Sequence, residues 1–288
     1  MQFMTRLPIR LCAAASVCVL SLCAATASWA GTTNDVPSCY AANKLKAPAA
    51  VPQQELFLMV DQTTQLDANL KAQVNENLAR LVKPGSAFTL AEFSAFTQGH
   101  YTDVVTRGYL EQPVAQKDRD DISERLLRNF DACMQGQLGY GRKLAASKFI
   151  EIENGATNDL AKSDILASLK DLSDRVRNSP SQDRVVFLVS DMLENSSISS
   201  FYAHNAVRKI DPSAELKKVA DASLFGDFGG ARVYVLGAGI LTEDADKTKA
   251  YRDPKTMAAL RQFWSSWFEK SNAKLVEFGQ PALLSPIN

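Results

Sequence analysis

Three short runs of the chain are apolar at every position rather than at alternate ones: Leu56-Phe57-Leu58-Met59-Val60, Val185-Val186-Phe187-Leu188-Val189 and Val233-Tyr234-Val235-Leu236. Runs of that length fit strands buried on both faces of a parallel sheet. They stop at Asp61, at Ser190-Asp191 and at Gly237-Ala238-Gly239. Between and after them the period is helical. Leu70, Val74, Leu78 and Leu81 predict a helix with Asp67 at its cap and Pro84-Gly85 at its end. Ile165, Leu169, Leu172 and Val176 predict another, capped by Ser163 and ended by Asn178-Ser179-Pro180. A long helix is expected over 120–148, with Ile122, Leu126, Phe130 and Cys133 on one stripe and Gly136, Gly139 and Gly141 in its continuation.

Further helices are expected over 197–208, from Asp211-Pro212, and from Asp253-Pro254, the last with Met257, Leu260, Phe263, Trp264 and Trp267 as its apolar face. Segments 86–96 and 101–114 read as two strands joined across Gln98-Gly99-His100, which adds an antiparallel strand to the sheet, and Lys274–Phe278 reads as a short edge strand. Strands alternating with helices at this spacing imply an α/β fold: a doubly wound, mostly parallel sheet with helices on both faces. The domain is expected over 54–280, with an arm at 31–53 before it and a C-terminal tail at 281–288.

Residues 1–30 have a different character. Arg6 and Arg10 precede an apolar stretch from Leu11 to Leu22, followed by the small-residue tripeptide Ser28-Trp29-Ala30. This is the layout of a cleavable secretory signal, and the apolar stretch is shorter than the ~20 residues that span a bilayer. The expected location is the periplasm or the outside of the cell, after cleavage near Ala30. Neither Cys18 nor Cys23 follows a small residue, so no lipid anchor is expected. Once the two arginines leave with the signal, 30 of the 32 basic residues face 32 acidic ones. That balance offers no electrostatic reason to expect nucleic acid or an anionic membrane as partner. Only Cys39 and Cys133 remain, and two thiols in an oxidising compartment suggest one disulfide, closing a loop of roughly 95 residues.

In an open α/β sheet, ligands bind beyond the carboxyl ends of the strands where strand order reverses. Asp61 ends the first buried strand in Asp61-Gln62-Thr63-Thr64-Gln65, and Asp191 ends a later one in Ser190-Asp191-Met192-Leu193-Glu194. An acid followed two residues later by a hydroxyl offers a carboxylate and a neutral oxygen from one turn, the kind of shell that hard divalent cations take. On these residues the chain resembles the von Willebrand factor A family, whose metal-ion-dependent adhesion site uses an Asp-x-Ser-x-Ser loop, a threonine from a second loop and an aspartate from a third. By position Asp61 and Thr63 match the first two ligands, while Gln65 stands where the family has a serine. Ser163 in Ser163-Asp164 corresponds to the second loop's threonine, with Thr157 as the competing position, and Asp191 matches the late aspartate. The resemblance implies an exported, non-enzymatic binding domain that presents Mg2+ or Mn2+, ahead of Ca2+, to an acidic side chain of a protein partner.

Two other functions are open to the same residues. A strand-end Asp61 could be the nucleophile of a phosphohydrolase of the haloacid dehalogenase type, although Thr63 occupies the place of that family's second acid. Alternatively the domain is a metal-free scaffold or assembly factor of an envelope machine, which Gln65 favours. His100 and His204 are the only histidines, so a zinc cluster is not expected, and no Gly-x-Ser-x-Gly elbow or phosphate-binding glycine loop is present.

Overall fold

Leu56, Leu58 and Val60 point to one side of the first strand and Phe57 and Met59 to the other, and all five are buried, because helices cover both faces of the sheet. The computed structural model describes residues 34–49, 51–97, 100–156, 163–203, 206–240 and 253–288; the expected signal at 1–30 lies outside them. In chain order the elements are α1 (Cys39–Ala42), β1 (Gln54–Asp61), α2 (Ala68–Leu81), β2 (Ser86–Thr97), β3 (His100–Tyr109), α3 (Glu124–Gly155), α4 (Ile165–Arg177), β4 (Asp183–Val189), β5 (Tyr202–Ala203), β6 (Ala206–Val207), α5 (Pro212–Asp221), β7 (Ala231–Leu236), α6 (Pro254–Lys270) and β8 (Ala273–Phe278).

The main sheet has six strands in the order β3-β2-β1-β4-β7-β8, all parallel except β3, which runs antiparallel to β2. In register, Leu58 of β1 lies between Leu90 of β2 and Phe187 of β4. One core, on the side of α2 and α3, takes Leu56, Leu58, Val60, Val185, Phe187 and Val189. The opposite core, on the side of α4, α5 and α6, takes Phe57, Met59, Val186, Leu188, Val233 and Val235, together with Trp264 and Trp267. This is the expected doubly wound α/β fold, consistent with the Rossmann-like and von Willebrand factor A-like architectures. Strand order reverses between β1 and β4, so the crevice of such a fold lies beyond Asp61 and Val189.

Several boundaries differ from the expectation. The strand expected over 101–114 stops at Tyr109, and the helix expected over 120–148 runs instead from Glu124 to Gly155, leaving Ile122 ahead of it. Gly136, Gly139 and Gly141 sit inside that helix without breaking it, since tertiary burial of Phe130, Met134, Phe149 and Ile152 outweighs the ~1 kcal/mol that each glycine costs. None of the described residues of the helix expected over 197–208 is helical. Its place is taken by irregular chain and the two-residue strands β5 and β6, with Phe201 buried against Phe263 and Trp264. The hydroxyls of Ser196 and Ser200 accept amides two residues on, Ile198 N–H at 3.2 Å and Tyr202 N–H at 3.3 Å, the local competition that serine offers to a helix.

The Cys39–Cys133 disulfide is present, with Cα atoms 5.7 Å apart, and ties the N-terminal arm to α3. Glu111 organises the same corner: its carboxylate accepts the Cys39 amide at 2.7 Å and the Gln137 side-chain amide at 3.0 Å. Among the described residues no helix is long and apolar enough to cross a membrane.

Candidate functional site

Asp61 is the last residue of β1 and is fully buried. The chain turns immediately after it, with the Thr64 amide donating to the Asp61 carbonyl at 3.1 Å. That turn folds Thr63 back, so that both its amide (2.9 Å) and its hydroxyl (2.6 Å) donate to Asp61 Oδ1. Ser163 approaches from the loop before α4, its Oγ 3.4 and 3.3 Å from Oδ1 and Oδ2. Ser190, the residue after β4, donates to Oδ2 at 2.8 Å. Three loops thus converge on one carboxylate.

Asp191 follows Ser190 and is also buried. Its Oδ1 accepts the Leu193 amide at 2.8 Å, its Oδ2 accepts the Tyr202 hydroxyl at 2.5 Å, and its own amide donates to Thr64 Oγ1 at 3.0 Å. The loop is shaped by backbone in the left-handed region: Met192 has φ 59° and its carbonyl is held by the Trp264 indole N–H at 2.9 Å. Gly237, at φ 105°, lies so close that a Cβ there would stand 2.9 Å from the Ser190 carbonyl oxygen, so this position requires glycine.

Burial pushes both aspartates above the ordinary carboxylate range. For Asp61 this happens against the lowering effect of Thr63, Ser190 and Ser163. Asp191 is pushed up to about 8, by burial first and then by the charge of Asp61. The Tyr202 phenol is raised as well, by burial and by the adjacent Asp191. The hydrogen-bond partners of the two carboxylates among the described residues are hydroxyls and amides, none of them cationic.

A third buried acid stands behind the pair. Glu194 accepts the Leu166 amide in the first turn of α4 at 2.9 Å, while the Asn195 amide donates to the Ser163 carbonyl at 2.9 Å. The N-cap position of α4 falls on Asp164, not on Ser163 as the helical pattern suggested; Ser163 instead turns its hydroxyl to Asp61. Glu194 Oε1 has no partner of hydrogen-bonding geometry, and burial pushes this carboxyl up to about 8.

Of the residues singled out in the sequence, Asp61, Thr63 and Ser163 come together, and Asp191 lies close enough to feel the charge of Asp61. Gln65 does not join them. It is exposed and donates its side-chain amide to the Ala156 carbonyl at 3.2 Å, at the end of α3. Thr157 and His204 lie outside the described residues, as does the side chain of His100. Ser190, Tyr202 and Glu194 are members that the pattern of the chain did not reveal. Ser190 adjoins Asp191, and a hydroxyl at a strand end was the available signal; Tyr202 and Glu194 reach the site only through the tertiary fold.

No family model matches the chain, and no curated protein matches it. Among solved structures, the chain is similar to an aerotolerance-related membrane protein from Bacteroides fragilis NCTC 9343, carrying multiple mutations to serine, at 9% identity and a TM-score of 0.33, over 78% of this chain and 92% of that one. It is also similar to the PilB minor pilin from Streptococcus sanguinis, at 13% identity and a TM-score of 0.37, over 81% of this chain and 58% of the pilin. Likenesses at this level assign no family, ligand or activity.

Chemically, the cluster is an all-oxygen set of two carboxylates with the hydroxyls of Thr63, Ser163 and Ser190. Hydroxyls serve as donors to a carboxylate or as lone-pair ligands to a cation, so the same side chains suit either state. Among the described residues no three His, Cys, Asp or Glu side chains are grouped to hold a metal ion. Any cation here would rely on the two aspartates, the hydroxyls and water, which suits a hard ion such as Mg2+ or Mn2+ and not zinc.

Proposed function

We propose that this chain is an exported, non-enzymatic protein-binding domain that holds Mg2+ or Mn2+ at the switch point of its sheet. Asp61, Thr63, Ser163 and Asp191 would hold the ion, and an acidic side chain of the partner would complete its shell. The observation that carries this reading is the pair of buried aspartates, converging from β1 and β4 with only neutral partners among the described residues. Two buried carboxylates at one place repel unless a proton or a cation lies between them. When bound, the ion would supply an open coordination position for a carboxylate. Asp61 and Asp191 would provide the negative charge, and the Thr63 and Ser163 hydroxyls, which donate to Asp61 here, would offer the ion their lone pairs. Export to the periplasm or beyond is supported by the Cys39–Cys133 disulfide, which belongs in an oxidising compartment.

A metal-free scaffold is the second reading, favoured by Gln65 turning away to Ala156 and by the Tyr202 hydroxyl already satisfying Asp191. Thermal melts and calorimetric titration with Mg2+, Mn2+ and Ca2+ separate the two. The metal reading expects wild type to melt higher at millimolar Mg2+ or Mn2+, while Asp61→Ala and Asp191→Ala melt at or above metal-free wild type and show no metal response. No shift in wild type would leave the scaffold.

A further inference from the structure

Segment 279–288 leaves the sheet edge after β8 and comes back across the face that carries α2. Two of its last eight side chains, Leu283 and Ile287, are buried, 4% and 0% exposed, and both enter the core cluster shared by α2 and the β7 residues Tyr234 and Leu236. The rest of the segment is outside that core: Leu284 is 95% exposed, and residues 282 and 285 to 288, Ile287 excepted, face solvent. The segment is neither helix nor strand, so its backbone groups need partners elsewhere.

Side-chain amides of α2 supply them. Gln73 accepts the Leu283 amide on Oε1 at 2.9 Å and donates from Nε2 to the Leu283 carbonyl at 2.9 Å. Asn77, one turn further along the helix, accepts the Ile287 amide on Oδ1 at 2.8 Å, while its own Nδ2 is fixed on the Gln73 carbonyl at 2.8 Å. Arg232 of β7 donates to the Asn288 carbonyl at 2.6 Å. A side-chain amide that bonds both N–H and C=O of one residue reproduces what a neighbouring strand does in a ladder. Hydrogen bonds to the backbone combined with pockets for spaced side chains are a recurring mode of peptide recognition. Just ahead of this region, Gly279 N–H donates to the Val235 carbonyl and Gly237 N–H to the Pro281 carbonyl, each at 2.8 Å.

We propose that the groove between α2 and β7 is a peptide-binding site for short segments carrying two aliphatic side chains four residues apart, filled in this chain by its own residues 282–288. The segment binds as a ligand held in cis, at the high effective concentration that a short tether confers. Neither the groove nor its occupant involves the Asp61 cluster, so the inference stands or falls independently of the metal reading.

Two measurements on the full-length chain test it. By hydrogen exchange, the Leu283 and Ile287 amides of wild type should open locally, exchanging at least 100-fold faster than the slowest amides of β1 and β4. A fluorescent peptide of residues 282–288 should bind saturably to the full-length Leu283→Asp/Ile287→Asp variant, whose own segment is disabled. It should bind at least tenfold more weakly to wild type, and lose binding when Gln73→Ala is added to the variant. Exchange at Leu283 and Ile287 matching the slowest core amides would overturn the proposal, as would a folded variant that fails to bind the peptide. A double variant that no longer folds would also overturn it, because the segment would then be part of the core and not a ligand.

Discussion

Glu194→Gln should make stability less dependent on pH and should stabilise the protein in mild base. Glu194 is completely buried, and its carboxyl is held up to about 8 from an ordinary value of 4.5. Two effects oppose. The Ser196 hydroxyl first, then the Leu166 amide and the first turn of α4, favour the anion, by ~1.5 to 3 kcal/mol for a hydrogen bond to a charged group and up to ~2 kcal/mol from the helix terminus. Burial with an unpartnered Oε1 costs more, so the neutral acid prevails. Raising the value from 4.5 to about 8, at ~1.4 kcal/mol per tenfold change, is worth on the order of 5 kcal/mol. Between those two values the folded protein binds a proton that the unfolded chain has released. The contribution is therefore fully present below about pH 4.5 and is lost as pH rises towards 8. Glutamine keeps a carbonyl for the Leu166 amide and sets its NH2 towards the Ser196 hydroxyl that now neighbours the acid. Urea unfolding of wild type and Glu194→Gln from pH 5 to pH 8 should show the variant gaining about 3 to 4 kcal/mol relative to wild type across that interval, because Asp61 and Asp191 titrate in both proteins and cancel. Parallel stability curves would refute the reasoning and mean that the first turn of α4 keeps Glu194 ionised throughout.

Non-reducing mass spectrometry should find Cys39 and Cys133 joined; replacing both with serine removes a closure of 94 residues, up to about 4 to 5 kcal/mol, and should lower the melting temperature by roughly 10 °C. Trp264→Phe removes the indole donor from the Met192 carbonyl and leaves a cavity in a packed face, an expected loss of about 2 to 4 kcal/mol in urea unfolding. Gly237→Ala places a Cβ against the Ser190 carbonyl at φ 105°, and thermal melts should register a loss of about 1 to 3 kcal/mol.

What the sequence by itself determined is what depends on neighbours along the chain. Uniformly apolar runs mark β1, β4 and β7 because a strand covered on both faces has no polar side to show. Asp67, Asp211 and Asp253 cap α2, α5 and α6 through amides two or three residues away, so their role is visible in a few letters. Asp61 with Thr63 is likewise a local turn. Where contacts from far along the chain decide, the letters mislead or stay silent. Residues 197–208 have helical spacing, yet Phe201 gains more by burial against Phe263 and Trp264 than a short serine-rich helix would return. Ser163 has the composition of a cap, but α4 already has Glu194 at its first turn, brought there from a loop 28 residues away, which leaves the serine hydroxyl for Asp61. Tyr202 reaches Asp191 because β5 folds back over the loop, and Gln73 meets Leu283 across 210 residues. Periodicity reports which face of an element is buried; which groups meet there is set by strand order and by the paths of the loops, and those belong to the tertiary fold.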